Sequence, residues 1–331
     1  MKRITLYLLG LVLISSSCQK DGEVSSEEIP DINYPQTIIF EDSLSAYSIF
    51  DGTPSDLVQS SDFHLLELSS ILFTDHAHKQ RLVKIPVGTQ MERLTDGSIN
   101  YPDGTILTKT FFYYFDEGNP SLGKRILETR LLIKEAGIWN AATYIWNQAQ
   151  TDAKLELNGL DTEVSWVSSN GSNQSTNYHI PTENECIACH QHNSAMTPLG
   201  PTLQNLNRTV VRNGVNINQI SHLQSLGILN SFDVTQVSQI VDYNDASASL
   251  KNRARAYLSI NCAHCHRPGG WDKATEKEFD FRHETPLELT GILHEKDKIL
   301  NALNDGEMPF IGTTLLDQDG INIITDYLES L

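Results

Sequence analysis

Two textures succeed one another along this chain. Between about Glu41 and Pro181 the apolar residues fall in short runs of β-branched and aromatic type separated by turn residues, the pattern of antiparallel strands. Ile106 to Phe115 follows the turn Tyr101-Pro102-Asp103-Gly104. Arg130 to Lys134 and Ile138 to Trp146 flank Glu135-Ala136-Gly137, which reads as a hairpin with glycine in its turn. Glu163 to Val167 and Gln174 to Ile180 flank Ser169-Asn170-Gly171-Ser172, a second hairpin signal. Short strands at this spacing predict an antiparallel β-sandwich-like domain over residues 41–181. Its aromatic residues (Phe111, Phe112, Tyr113, Tyr114, Trp139, Tyr144, Trp146) alternate in the manner of core and surface packing rather than of a binding platform.

Beyond Pro181 the spacing turns helical. Asn218 to Leu229, Asp233 to Val241 (with Asp233 as cap), Lys251 to Ile260 and Ile292 to Leu303 all carry it. Ile321, Ile324, Leu328 and Leu331 fall on one face of a last helix. The expected fold class is therefore α+β and multidomain, the β-rich part being followed by mainly α-helical segments over 182–250 and 251–331. No internal repeat of roughly 20–50 residues is present.

The N-terminus carries a different message. Lys2 and Arg3, an apolar run through Tyr7 to Ile14 and then Ser15-Ser16-Ser17 form an export signal over residues 1–17, too short to span a bilayer. Ile14-Ser15-Ser16-Ser17-Cys18 resembles a bacterial lipobox, with Ser where Leu is usual, so that Cys18 is the expected lipidation site. Residues 18–40, acidic and Ser-rich at their start, read as a flexible tether. Gln19-Lys20-Asp21-Gly22-Glu23 resembles the surface-export signal of some gram-negative lipoproteins, although a plain polar linker has the same composition. The expected location is an exported lipoprotein of the outer membrane, on its periplasmic or cell-surface face, anchored to the membrane by lipid.

The 331 residues carry a net charge of −18, and loss of Lys2 and Arg3 with the leader makes it two units more negative. Such a chain is a poor nucleic-acid binder and predicts a basic docking patch on any soluble partner. Five cysteines is an odd number, which normally leaves a thiol over. Apart from Cys18 they fall into two identical patterns, Cys186-Ile187-Ala188-Cys189-His190 and Cys262-Ala263-His264-Cys265-His266. C-x-x-C-H is the attachment signature of c-type haem. Two thiols three residues apart reach two vinyl groups along one edge of a macrocycle, and the following imidazole comes beneath the iron. A zinc ribbon normally holds its pairs closer together and needs no trailing His, a thioredoxin-like dithiol needs a βαβ setting, and two short disulfides are the remaining alternative in an oxidising compartment.

At these residues the chain resembles an uncharacterised family of diheme c-type cytochromes. The likeness rests on Arg253-Ala254-Arg255-Ala256-Tyr257-Leu258 before the second motif and Arg267-Pro268-Gly269-Gly270 after it. Leu72-Phe73-Thr74-Asp75, Lys109-Thr110-Phe111, Leu127-Glu128-Thr129-Arg130-Leu131-Leu132, Tyr144-Ile145-Trp146-Asn147, Leu199-Gly200-Pro201 and Leu206-Asn207 extend it over most of the chain. The stretch from Gly269 to Met308 departs from the family, lacking a longer loop often found there. Members are often encoded beside a parallel β-helix protein, which the resemblance implies as a partner.

The resemblance implies two covalent haems, with Cys186, Cys189, Cys262 and Cys265 as attachment residues and His190 and His266 as iron ligands. Met308, in Gly306-Glu307-Met308-Pro309 ahead of the last helix, is the expected sixth ligand of the second haem. There the chain resembles class I cytochromes c, in which the motif-bearing and C-terminal helices pack together, and the region is expected to be cytochrome c-like. His264 is expected to be a surface side chain. For the first haem, Leu199-Gly200-Pro201-Thr202-Leu203 resembles the loop whose proline carbonyl accepts the imidazole N–H. Its sixth position is left to Met196, His222, His179, the His76/His78 pair, or no ligand. The function expected is single-electron transfer between redox proteins, with no catalytic residue assigned. The alternatives are a diheme peroxidase-like oxidoreductase with one open haem, and a binding module whose β domain grips a polysaccharide or partner.

Overall fold

The computed structural model describes residues 34–331 except 96, 272, 273 and 275–277. The export signal, Cys18 and the first part of the tether lie outside the described residues.

The strands are β1 (His64–Leu65), β2 (His78–Lys84), β3 (Glu92–Arg93), β4 (Ile99–Asn100), β5 (Ile106–Tyr114), β6 (Lys124–Glu135), β7 (Ile138–Trp146) and β8 (Ala153–Glu156). Six of them form one antiparallel sheet in the order β1-β2-β5-β6-β7-β8, while β3 and β4 pair with each other. Alternation along the strands sends side chains to two buried faces. Leu82, Phe112, Leu131, Ala142, Tyr144 and Trp146 go to one, against Phe40, Leu44, Ile49, Leu57 and Phe63 of the irregular N-terminal segment. Val83, Leu107 and Trp139 go to the other, against residues from beyond position 181.

The sandwich expected from the strand spacing is therefore not what forms. One face of the single sheet is covered by a segment with two short 3-10 turns, Leu44–Tyr47 and Pro54–Asp56, and no second sheet. The remaining hairpin, β9 (Leu160–Val167) with β10 (Asn173–Ile180), is a separate two-stranded sheet. It packs Val164, Trp166, Tyr178 and Ile180 onto Phe111, Tyr113 and Leu127. Period-2 alternation says that a face is buried and is silent on what buries it.

The second correction concerns the region after 181, which is not mainly helical and so not the cytochrome c-like haem region expected. It holds α1 (Glu183–His190), hairpin β11 (Gln191–His192)/β12 (Ala195–Met196), α2 (Leu203–Leu206), hairpin β13 (Thr209–Arg212)/β14 (Val215–Asn218), and α3 (Gln219–Ser225). After these come α4 (Leu250–Asn261), α5 (Ile292–Asn304) and α6 (Gln318–Glu329), joined by long irregular stretches. The predicted helix over 218–229 stops at Ser225 because Gly227, at φ +71°, closes it. Ile228 N–H donates to Leu223 O and Gly227 N–H to Gln224 O, the two bonds of a Schellman end. Asp233 does cap, accepting from Thr235 N–H at 3.0 Å, but only a 3-10 turn, Val234–Gln236, follows. Leu331 lies beyond α6 and is exposed, whereas Ile321, Ile324 and Leu328 are buried.

Two cores organise this half. Ile187 of α1, Met196, Leu203, Leu206, Ile220 and Leu223 join the sheet core, so residues 182–237 share their interior with the β region. A second core packs α4 on α6. Gly320 is required there, since a Cβ would lie 2.1 Å from the Tyr257 ring.

Asp75 fastens the sheet to the stretch before α6. It is buried, and its carboxylate accepts from Thr314 N–H at 2.9 Å, Leu315 N–H at 2.9 Å and Thr314 Oγ1 at 3.0 Å. The Tyr113 hydroxyl donates to its backbone oxygen at 2.5 Å. Burial still raises its pKa above the ordinary carboxylate value, outweighing these bonds. Asp75→Ala orphans two backbone N–H groups in a buried setting and is expected to cost about 2–4 kcal/mol, read as a drop in the urea midpoint. An unchanged midpoint would show that this junction adds nothing to stability.

Candidate functional site

Helix α1 carries the first C-x-x-C-H motif, and its N-terminus is fixed by a capping box. Thr182 Oγ1 accepts from Glu185 N–H at 3.3 Å, and Glu185 Oε2 accepts from Thr182 N–H at 2.8 Å. The same Glu185 meets His179 Nε2 at 3.0 Å, while His179 Nδ1 meets Asp161 at 2.7 Å. The helix that bears Cys186 is thus bolted to the β9–β10 hairpin. His179, flanked by two carboxylates, has its pKa raised to about 9, chiefly by Glu185.

All four motif cysteines are free thiols. Burial raises the pKa of Cys186 to about 11 and those of Cys262 and Cys265 to about 12, and pushes Cys189 well up. They are neutral at physiological pH. Among the described residues no three His, Cys, Asp or Glu side chains converge as a chelating group.

His190, the last residue of α1, turns its Nδ1 to the carbonyl of Thr197 at 2.8 Å. Thr197 N–H returns a bond to His190 O at 2.8 Å, so the two residues lock each other. Sequence likeness placed this acceptor at Pro201; the structure puts it four residues earlier, because the tight β11–β12 hairpin brings Thr197 back under the ring. With Nδ1 engaged, Nε2 is the nitrogen available to a metal. Burial, followed by the charges of Lys109 and Arg130, lowers the ring's pKa to about 3 despite the Thr197 bond, which keeps the imidazole neutral.

The second motif begins where α4 ends: Cys262 is its C-cap and donates N–H to Leu258 O. His266 lies against the rings of Phe279 and Phe281, at centroid distances of 5.6 and 5.4 Å, and burial lowers its pKa. Arg267, Phe279 and Arg282 line a cavity of about 650 Å³. His264 is not the surface side chain expected. It is half-buried with its Nδ1 enclosed, and burial, aided by His266, Arg267 and Lys109, lowers its pKa to about 4.

Far apart in the chain, the two motifs are brought side by side. Asn193 N–H, three residues after His190, donates to Gly269 O at 2.7 Å. Ala188 packs with Trp271 and Cys265, and Phe310 stacks near Trp271 at 5.5 Å. Gly269 sits at φ +72°, where an added Cβ would come within 2.1 Å of Asn193 Oδ1. Met308, half-buried two residues before Phe310, donates its N–H to Ala302 O at 3.1 Å, and its loop reaches the same cluster through Phe310.

Cys186 and His190 line a cavity between α1 and the sheet, and none of the residues nominated for the sixth position of the first haem lines it. Met196 is buried in the sheet core, and both nitrogens of His179 are bonded to carboxylates. His78 stacks on Phe112 and meets Tyr114 edge-on, and His76 lies against Phe73 and Trp166. Instead the cavity presents Arg81, Lys109 and Arg130. Sequence reasoning missed these cations, although charged residues at strand positions whose neighbours two along are core residues were a readable signal: Arg81 precedes Val83, and Lys109 lies between Leu107 and Phe111.

The residue types of both motifs fit a covalently attached porphyrin: paired reduced thiols on one turn of chain and an adjacent neutral imidazole, beside walls that mix apolar and charged side chains. Comparison of the chain with protein-family models, curated proteins and solved structures gives no match.

The His179 pKa lies above its ordinary value, so the stabilisation from Asp161 and Glu185 is fully present below pH 6.5 and is lost as pH rises through about 9. Thermal melts should show His179→Gln less stable than wild type at the acidic end of that window, the difference vanishing above it. A pH-independent difference would sink the ion-pair account. At the seam between motifs, Gly269→Ala is expected to cost about 1–3 kcal/mol from left-handed strain and the clash with Asn193, measured by urea unfolding.

Proposed function

We propose that the chain is a diheme c-type cytochrome that passes single electrons between redox partners while tethered to a membrane through Cys18. The observation that carries this reading is the juxtaposition of the two C-x-x-C-H segments, joined at Asn193–Gly269 and at Ala188–Trp271. A pair of attachment sites sharing one seam is what a tandem carrier needs, since single electrons must cross from one centre to the other within the protein. Haem supplies the one-electron couple when bound. The chain's own residues do the rest: Cys186, Cys189, Cys262 and Cys265 would hold the macrocycles, and His190 and His266 would offer neutral imidazole. Thr197 sets the orientation of His190, and Phe279 and Phe281 shield His266 from water. Met308 would offer the second haem a thioether, a ligand type that raises the reduction potential. The acidic chain docks basic partners, and a parallel β-helix protein is a candidate among them. Placement on the outer membrane, facing the periplasm or the cell surface, goes with the lipobox-like leader.

Covalent haem staining of the protein produced with a c-type maturation system tests the attachment. Wild type should carry two haems, Cys186→Ala with Cys189→Ala or Cys262→Ala with Cys265→Ala one, and the fourfold variant none. Retained stain in the fourfold variant would refute the sites. EPR of the loaded protein separates a carrier, with low-spin haems and no peroxide turnover, from a peroxidase, with a high-spin five-coordinate haem that turns over peroxide.

A further inference from the structure

The cations of the first cavity form an ordered row. Across the sheet Arg81 pairs with Lys109, Lys109 with Arg130, Arg130 with Thr143, and Thr143 with Glu156. Three successive strands therefore place a cation directly opposite a cation on the same face, an arrangement that disfavours the sheet. Arg130 is compensated: Glu128, fully buried, accepts from its Nε at 2.8 Å and its Nη2 at 2.6 Å, and also from Tyr178 OH at 2.8 Å. Arg81 and Lys109 are not. Arg81 is only 8% exposed, and among the described residues its guanidinium has no carboxylate within ion-pair distance. The same holds for Lys109, whose ammonium lies 4.9 Å from the Phe111 ring centre.

The two carboxylates that also line the cavity are turned to other bonds. Glu156 accepts from Asn158 N–H at 2.8 Å, and Glu183 bonds Gln36. Two cations held side by side with no carboxylate bonded to either, in a cavity whose opposite wall is Cys186 and His190, call for an anion with two negative groups. A haem fixed at Cys186 and Cys189 brings two carboxylates on the edge away from its thioethers.

Resting on the haem reading given above, we propose that Arg81 and Lys109 are the seat of the carboxylates of the first haem. The sheet then contributes to the cofactor site directly, by neutralising its charge in a cavity that water only partly reaches. The cations favour the reduced, more negative haem, so the row also sets the potential of this centre above what the bare attachment motif would give. Arg130, already bound to Glu128, holds the row in register and takes no share of the ligand.

Redox titration of the loaded diheme protein tests this. Arg81→Gln and Lys109→Gln should each lower the midpoint potential of one haem only, with both haems still attached by mass; Arg81→Lys and Lys109→Arg should restore it. Two wild-type potentials in the fully loaded Gln variants would overturn the proposal. Redox-difference infrared spectra of wild type carrying haem labelled with ¹³C at the carboxylates give a second reading that needs no variant. Ion-paired carboxylate bands for one haem support the proposal, and solvated bands for both overturn it. Free acetate that shifts the visible spectrum in wild type but not in Lys109→Gln would also overturn it, by showing that the row takes a diffusible anion. A wild-type protein with no haem on Cys186 and Cys189 would instead sink the haem reading itself.

Discussion

The seating of α1 on the six-stranded sheet is the constraint from which the rest of the site follows. Glu185 closes the capping box of that helix and grips His179 of the β9–β10 hairpin at the same time, so the helix start and the hairpin end are one joint. From that joint the eight residues of α1 run across the sheet face to His190, where the Thr197 carbonyl stops the ring from turning. The β11–β12 turn that follows supplies Asn193 to the Gly269 carbonyl, and the second motif is thereby placed.

Charge is distributed around this joint in a way that overall composition conceals. The chain is strongly acidic, yet the sheet face under α1 carries Lys79, Arg81, Lys109 and Arg130. Burial, reinforced by mutual repulsion, pushes the pKa of Lys109 well down from its ordinary value, and burial lowers Arg81 to about 10. Burying like charges together disfavours folding unless something answers them. Glu128 bonds Arg130 directly and acts on Lys109 only at longer range. The interior therefore carries a demand for negative charge beside the first C-x-x-C-H motif, opposite in sign to the acidic character of the chain as a whole.

Much of the secondary structure was legible because it depends on local periodicity. The hairpin around Glu135-Ala136-Gly137 and the helices starting near residues 250 and 292 form about where apolar spacing places them. Failures came where a local pattern has more than one tertiary completion. Alternating strands fit a sandwich or a single sheet clad by coil, and here the N-terminal segment of 3-10 turns does the cladding. Apolar spacing over 218–229 fits a long helix, but Gly227 in the left-handed region ends it early. His264 looked like a surface residue because nothing in C-x-x-C-H shows that the first motif and Lys109 lie beside the second.

The residue types able to hold a porphyrin are a property of sequence alone: two thiols and an imidazole at fixed spacing need only one turn of chain to come together. Everything between elements needed the fold. That Thr197 rather than Pro201 receives the His190 N–H follows from a two-strand turn, and that Asn193 meets Gly269 follows from the docking of α1. The cation row of Arg81, Lys109 and Arg130 arises only from strand register, since residues on three different strands become neighbours when their backbones pair. Short-range chemistry is written in order along the chain, whereas charge placed against charge depends on which distant segments the core brings into contact.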